Sequence, residues 1–322
     1  MSDIVVAVGT HALYDPEKAR ADAHRHFQNQ LRVGDEIVRE AANLLLRAFK
    51  TSQSDVLDMV AIGHLFRSLI VAADGCLLCL ESGAAEQALV HTRKSVEAGL
   101  QLQWLLRDDR ESRARRFYVW HLREQRSWHL RAITGTPEHT EHVKAWEAEG
   151  DPGPELDPIA NQALVDDAEA LLATEANRET NAWFELAKAN GSGKRMRARE
   201  PNWYTVGPGA VPSLGAMAKA LGRYTDWRTT YRYLSYAVHS SSLSSSVSVQ
   251  SSQLRLEHIR FPRHFSQAFS FTFLELLARC FDIARTYRPG EAPALERRAR
   301  DNWLRYVASW TDVQVPDPGM PE

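Results

Sequence analysis

Arg232, Ser235, Tyr236 and His239 all lie within YRYLSYAVHS, residues 231–240. An α-helix turns about 100° per residue, so these four side chains fall inside an arc of about 100°. Tyr233, Leu234, Ala237 and Val238 take the other side. The stretch reads as amphipathic, but its polar face is an arginine, two hydroxyls and an imidazole. A solvated face more often mixes lysine with glutamate. A guanidinium grips a phosphate or carboxylate with two parallel hydrogen bonds. A histidine of ordinary pKa, about 6.5, gives or takes a proton near neutrality. Ser235 or Tyr236 can hydrogen-bond the same group. The row is either a solvated face or a site; as a site it makes these four residues the catalytic candidates, with no metal or cofactor expected.

Two other segments carry charge where apolar residues dominate. In HTRKSVEAGLQLQWLL, Arg93 and Glu97 are four apart on one helical face that Leu100 and Trp104 continue. A charge on such a face is expected to be paired. The pair either fixes helix register or orients the 231–240 helix. One segment earlier, His64, Arg67 and Asp74 line a stripe of an otherwise apolar helix. We expect these five residues to converge inside a bundle and support a polar site.

A third cluster is basic. Between Arg110 and Arg131 there are seven arginines against two glutamates, with Phe117, Tyr118, Trp120 and Trp128 interleaved. Arginine holds phosphates and aromatic rings stack on bases. Arg113, Arg116 and Arg123 are thus candidate nucleic-acid contacts, against the alternative of an amphipathic helix that turns its aromatics inward. The next segment reverses the sign: Glu138 to Glu185 holds thirteen acidic residues against Lys144 and Arg178. The formal charge of −2 conceals this asymmetry, and nucleic acid could use only part of the surface.

The positioning elements are helical. Asp15-Pro16 caps a helix over 15–50, and further helices are expected over 53–81, 84–107, 110–134, 139–149, 158–189, 213–221, 226–239, 263–288 and 293–309. Only DIVVAV and SVSVQSSQLRL alternate as short strands would. The fold class is all-α: an antiparallel helical bundle, as a single domain, whose core spans about 15–135 plus 211–309. An acidic insertion over about 138–200 interrupts it, and a disordered tail is expected over 311–322. GSGK at 191–194 lacks the leading glycine and the Ser or Thr of a phosphate-binding loop. Of the three cysteines, Cys76, Cys79 and Cys280, the first two read as buried structural thiols of a reducing compartment, against the alternative of redox or metal chemistry. The N-terminus lacks a secretory pattern, and Arg67 and Asp74 interrupt the most apolar run. A cytoplasmic protein with no membrane contact is expected.

The stretch Leu89–Glu97 and the stretch Tyr231–Ser240 together resemble two signatures of a bacterial helical family of unknown function. That family pairs Arg-x-x-x-Glu on one helix with a Tyr, Ser, His pattern on a later one, and an Asn-Trp like Asn202-Trp203 can precede the later helix. The resemblance spans roughly 55–245. The spacing Arg232-x6-His239 also resembles the Arg-x4–6-His motif of HEPN-type proteins. Many of these are helical, metal-independent endoribonucleases of phage-defence and toxin–antitoxin systems. That resemblance implies RNA as partner, a homodimer, Arg232 on the scissile phosphate and His239 from each subunit as base and acid. Two other functions remain open. One is a non-enzymatic helical scaffold or regulatory partner. The other is an enzyme or sensor for a small molecule, held in a polar pocket lined by His64, Arg67, Arg93, Glu97 and Arg232.

Overall fold

The computed structural model describes residues 14–50, 58–151, 153–154, 156–190, 200–238, 247–250, 253–256, 259–260 and 264–309. The chain divides into two compact units: residues 1–54, 62–106 and 214–322 form the first, residues 55–61 and 107–213 the second. Among the described residues the fold is all-α apart from one hairpin.

In the first unit, α1 (Pro16–Lys50), α2 (His64–Glu81), α3 (Ala85–Leu105) and α10 (Phe265–Tyr287) pack on one another. A π-helical turn, Asp58–Gly63, leads into α2. Asp15 caps α1 as its position before Pro16 requires, accepting from the Lys18 amide at 2.9 Å. Helix α1 kinks at Phe27 (φ −126°, ψ 20°), whose ring stacks on Phe265 at 3.8 Å. Phe269 and Phe273 continue the aromatic column, and Gly34 lets them approach, since a Cβ there would meet Phe273 at 3.0 Å and Phe269 at 3.1 Å. Inside this core Thr272 donates to Thr92 at 2.9 Å, and Thr92 donates to the Ala88 carbonyl. Cys76 and Cys280 are buried, and burial pushes the Cys76 thiol up to about 12.

Two shorter helices, α8 (Leu214–Ala220) and α9 (Tyr224–Val238), lie against α3. Then β1 (Val247–Gln250) and β2 (Gln253–Leu256) pair antiparallel, with Val247 opposite Leu256 and Gln250 opposite Gln253. The first unit closes with α11 (Ala292–Arg298), a π-helical turn over Ala299–Trp303 and α12 (Leu304–Val307). The segment DIVVAV and the tail over 311–322 lie outside the described residues.

The second unit is built on α4 (Arg110–Leu130), with α5 (Pro137–Glu149), α6 (Pro158–Ala173) and α7 (Glu175–Ala189) around it. The basic helix, placed in the core bundle by sequence, thus belongs with the acidic segment. One long helix expected over 158–189 is instead two. Thr174 is extended (ψ 148°), its hydroxyl donates to the Leu171 carbonyl, and so does the Asn177 amide. Side chains that satisfy the last carbonyls end a helix without glycine or proline.

Charge explains the grouping. Arg123 reaches Glu185 of α7 at 2.6 Å and Glu200 at 2.7 Å, while Arg126 reaches Glu169 of α6 at 2.7 Å. Lys188 completes the Glu200 site at 2.8 Å. The Arg123 and Glu200 side chains are 4% and 5% exposed. Burial alone would raise the Glu200 carboxyl, but hydrogen bonds from Arg123 and Lys188 hold it below its ordinary value.

Removing one partner of a buried pair costs about 3–5 kcal/mol, and Arg123→Ala should lower the unfolding free energy by that order in urea melts. A depressed carboxylate stabilises fully above the ordinary glutamate value, about 4.3. That contribution is lost as pH falls through the lower folded value. Melts from neutrality down to about pH 3 should show this acid loss in wild type and a smaller one in Arg123→Ala. Equal acid losses would separate Glu200 from Arg123.

Candidate functional site

The five supporting residues do not converge. His64, Arg67 and Asp74 lie on the exposed side of α2. The opposite side presents Leu65, Phe66, Leu69, Ile70, Ala73 and Leu77 to the core, and nine or so apolar side chains outweigh one charged stripe. Partial burial, with the neighbouring charges of Arg67 and Lys94, lowers the His64 pKa.

Arg93 and Glu97 of α3 do pair, Nε to Oε1 at 3.0 Å, and both are half-buried. The pair also meets α9: Arg93 Nη2 donates to the Tyr231 hydroxyl at 2.6 Å, and the guanidinium lies 4.7 Å from the Tyr231 ring centre. Tyr231 in turn stacks on Trp227 at 4.0 Å. Of the four catalytic candidates, Arg232 is exposed on α9 and the Ser235 hydroxyl donates to the Tyr231 carbonyl at 2.8 Å. Leu234 points inward, fully buried. The Tyr236 side chain and His239 lie outside the described residues.

The nucleic-acid candidates require correction. Arg116 is 1% exposed and donates to the carbonyls of Val206 and Pro208 at 2.8 and 3.0 Å. Arg123 is held by Asn181, Glu185 and Glu200. Neither can face a phosphate. Arg113 is half-buried, and burial pushes its pKa down. Phe117 packs edge-on against Trp203 at 5.7 Å. Arg116, Phe117 and Arg123 of the aromatic–arginine pattern thus belong to the interior of the second unit, while Trp128 at the end of α4 is 65% exposed.

A site that sequence reasoning missed lies in the first unit. Glu275 of α10, 5% exposed, accepts from both amino groups of Arg223 at 3.1 and 2.6 Å. Arg223 also donates to Gln103 at 3.2 Å. Arg279, one turn on, lies 3.6 Å from Glu275 and 3.3 Å from Asp282. Its Nη1 donates to the Gly99 carbonyl at 3.4 Å. Burial alone would lower the Arg223 pKa; hydrogen bonding and charge from Glu275 reverse that and raise it. Burial lifts the Asp282 carboxyl above its ordinary value, against the pull of Arg279 and Arg285. The sequence carried a signal for this network: Glu275 and Arg279 sit four apart in the apolar run FSFTFLELLARCF, the pattern that drew attention to Arg93 and Glu97.

Beside this network opens a cleft of about 500 Å³. Val96 and Leu100 of α3, with Phe271 and Leu274 of α10, supply its apolar walls. Arg223, Asp226, Trp227 and Thr230 supply its polar rim. Its size and its few polar groups on an apolar lining are those of a small-molecule site. A smaller hollow, about 230 Å³, lies in the second unit beside His139, His142 and Trp146. His139 Nδ1 is engaged there by the Arg131 carbonyl at 2.8 Å. Among the described residues, no group of three or more His, Cys, Asp or Glu could hold a metal ion. Asp58–Glu81 is long and apolar enough to cross a bilayer, and 56% of that window is buried inside the protein, as a core helix would be.

The fold and cleft thus define an all-α protein with a ligand-sized cavity in its first unit. Residues 58–253 match a family of unknown function (DUF5677), and the chain belongs to it. No curated protein matches the chain, and neither does any solved structure. The match contains Arg93, Glu97, Arg223 and Tyr231 but ends before α10, which brings Glu275.

Gly99 tests how tightly the network is fitted. A Cβ at this position would fall on the Glu275 carboxylate and its Cγ. Gly99→Ala should therefore break the Arg223 contact and destabilise the protein by about 3–5 kcal/mol, as removing a buried partner does. Glu275→Gln should cost a similar amount. Because both act on one contact, the double variant should cost much less than the sum in urea melts. Additive losses would show that Gly99 and Glu275 act separately.

Proposed function

We propose that the first unit binds a small, planar or aromatic molecule that is neutral or zwitterionic, within the cleft between α3, α9 and α10. The observation that carries this reading is the cleft itself, which is apolar-walled but edged by Arg223, Asp226, Trp227 and Thr230. The charge balance selects the ligand. Arg223 and Arg279 are answered by Glu275 and Asp282, so the cleft does not call for a strongly charged guest. Asp226 and Thr230 can accept and donate hydrogen bonds to polar substituents, while Val96, Leu100 and Phe271 cover the apolar body. The Arg93–Tyr231–Trp227 stack holds the rim of α9 in place.

Thermal shift with nucleosides, aromatic amino acids and fused heterocycles tests this. A ligand at about 100 times its Kd stabilises by about 2.7 kcal/mol, which raises Tm. At least one compound should raise the Tm of wild type and fail to do so with Leu100→Trp, which fills the cleft. No shift across these classes, or the same shift in Leu100→Trp, removes this reading.

A second reading keeps the ribonuclease expected from the HEPN-like spacing, and one observation favours it: α9 exposes Arg232. The ribose 2′-oxygen would attack phosphorus, giving a 2′,3′-cyclic phosphate and a free 5′-hydroxyl. His239 would take or return the proton while Arg232 binds the phosphate. Cellular RNA incubated with chelator should then be cut by wild type and left intact by His239→Ala and Arg232→Lys. Uncut RNA with wild type, or cutting by His239→Ala, excludes it.

A further inference from the structure

The exposed side of α2 carries His64, Arg67, Val71, Asp74 and Leu78, spaced three, four, three and four residues apart. This spacing sets the five side chains in one row along the helix, and two of the five are apolar. Val71 and Leu78 are 44% and 59% exposed, and Val90 of the adjoining α3 is 49% exposed. Apolar side chains at these seam positions gain nothing from solvent. Arg67 and Asp74 have no ion-pair partner among the described residues.

The order of the charges along this seam is self-complementary. Arg67 stands four residues before Val71, and Asp74 stands three after it. At about 1.5 Å per residue these are offsets of about 6 and 4.5 Å. If a second copy of α2 is laid antiparallel across a two-fold axis at Val71, each Arg67 meets the partner helix's aspartate. The two valines meet on the axis, and each Leu78 covers a His64. A two-fold contact uses one patch twice, so a patch must complement its own rotated image, and this one does. A parallel pairing would instead set arginine on arginine and aspartate on aspartate.

We infer that the protein forms a two-fold dimer through the α2 seam, with a reciprocal Arg67–Asp74 pair on each side of Val71. This inference is independent of what the cleft binds and of whether RNA is cut. All the residues it uses are exposed, so their substitution leaves the core intact.

The experiment is sedimentation velocity on the full chain over a range of concentrations, with thermal melts as a folding control. Wild type should sediment as a dimer. Val71→Glu places two carboxylates on the axis and should give a monomer with the wild-type Tm. Arg67→Asp and Asp74→Arg should each give a monomer, because each sets like charges opposite one another. The double variant R67D/D74R restores opposite charges with their order reversed and should recover the dimer. A monomeric wild type overturns the inference, as does a dimer that survives Val71→Glu, or a double variant that stays monomeric. Anionic phosphatidylserine vesicles are added as a separate arm. A monomer that co-sediments with them through Val71 and Arg67 assigns the stripe to a lipid surface and also overturns the dimer.

Discussion

The Glu275 carboxylate is the contact on which the first unit's architecture turns. It sits in the middle of an apolar helix, nearly inaccessible, where an unanswered charge would cost several kcal/mol. Arg223 answers it with both amino groups. Arg223 is also the residue immediately before α9, so this one ion pair anchors the start of that helix to α10. Everything that follows along α9 inherits the anchoring. Trp227 comes one turn later and Tyr231 a second turn later, which brings the tyrosine hydroxyl to Arg93 of α3. The cleft is the space left between α3 and α10 where α9 is held at its edge. Gly99 completes the arrangement from the α3 side, because any side chain there would occupy the carboxylate's place.

The second unit solves the same problem with different parts. Its hub helix is rich in arginine, and the chain answers with acidic helices that follow directly in sequence. Arg123 and Arg126 find Glu185, Glu200 and Glu169. Among the described residues no carboxylate forms an ion pair with Arg116, whose Nη1 donates to the carbonyls of Val206 and Pro208. These carbonyls engage one amino group only and cancel no charge, which is consistent with the downward push on the Arg116 pKa from burial and from Arg113.

Local features were legible in the sequence, and distant pairings were not. The helical class, the Asp15 cap and the Arg93–Glu97 pair follow from spacing within one or two turns. The break at Thr174 was invisible because no glycine or proline marks it and the carbonyls are satisfied by side chains. Tyr231 lies 138 residues from Arg93, and Glu200 lies 77 from Arg123, separations that no periodicity reports. The stripe His64–Arg67–Asp74 shows the opposite failure. Its spacing was read correctly as one helical face, but the face was assigned inward, although the residues between its members are the larger apolar set. Weighing the two faces of α2 against each other by apolar area would have reversed that assignment.

An arginine's role is thus decided by whichever acceptor the fold brings to it, and its neighbours in sequence are a poor guide. Arg116 and Arg123 sit among aromatics in a pattern that suggests nucleic acid, and both are interior. Arg67 and Arg232 both reach solvent. Guanidiniums that face solvent remain able to meet something outside the protein, whereas those answered by buried carboxylates serve the fold. Under the proposed ligand-binding reading the cleft's cations are already neutralised, and selectivity would rest on shape, stacking and the few hydrogen-bonding groups at Asp226 and Thr230. A site of that kind discriminates by hydrogen-bond pattern more sharply than by charge, because a mismatched guest leaves buried polar groups without partners.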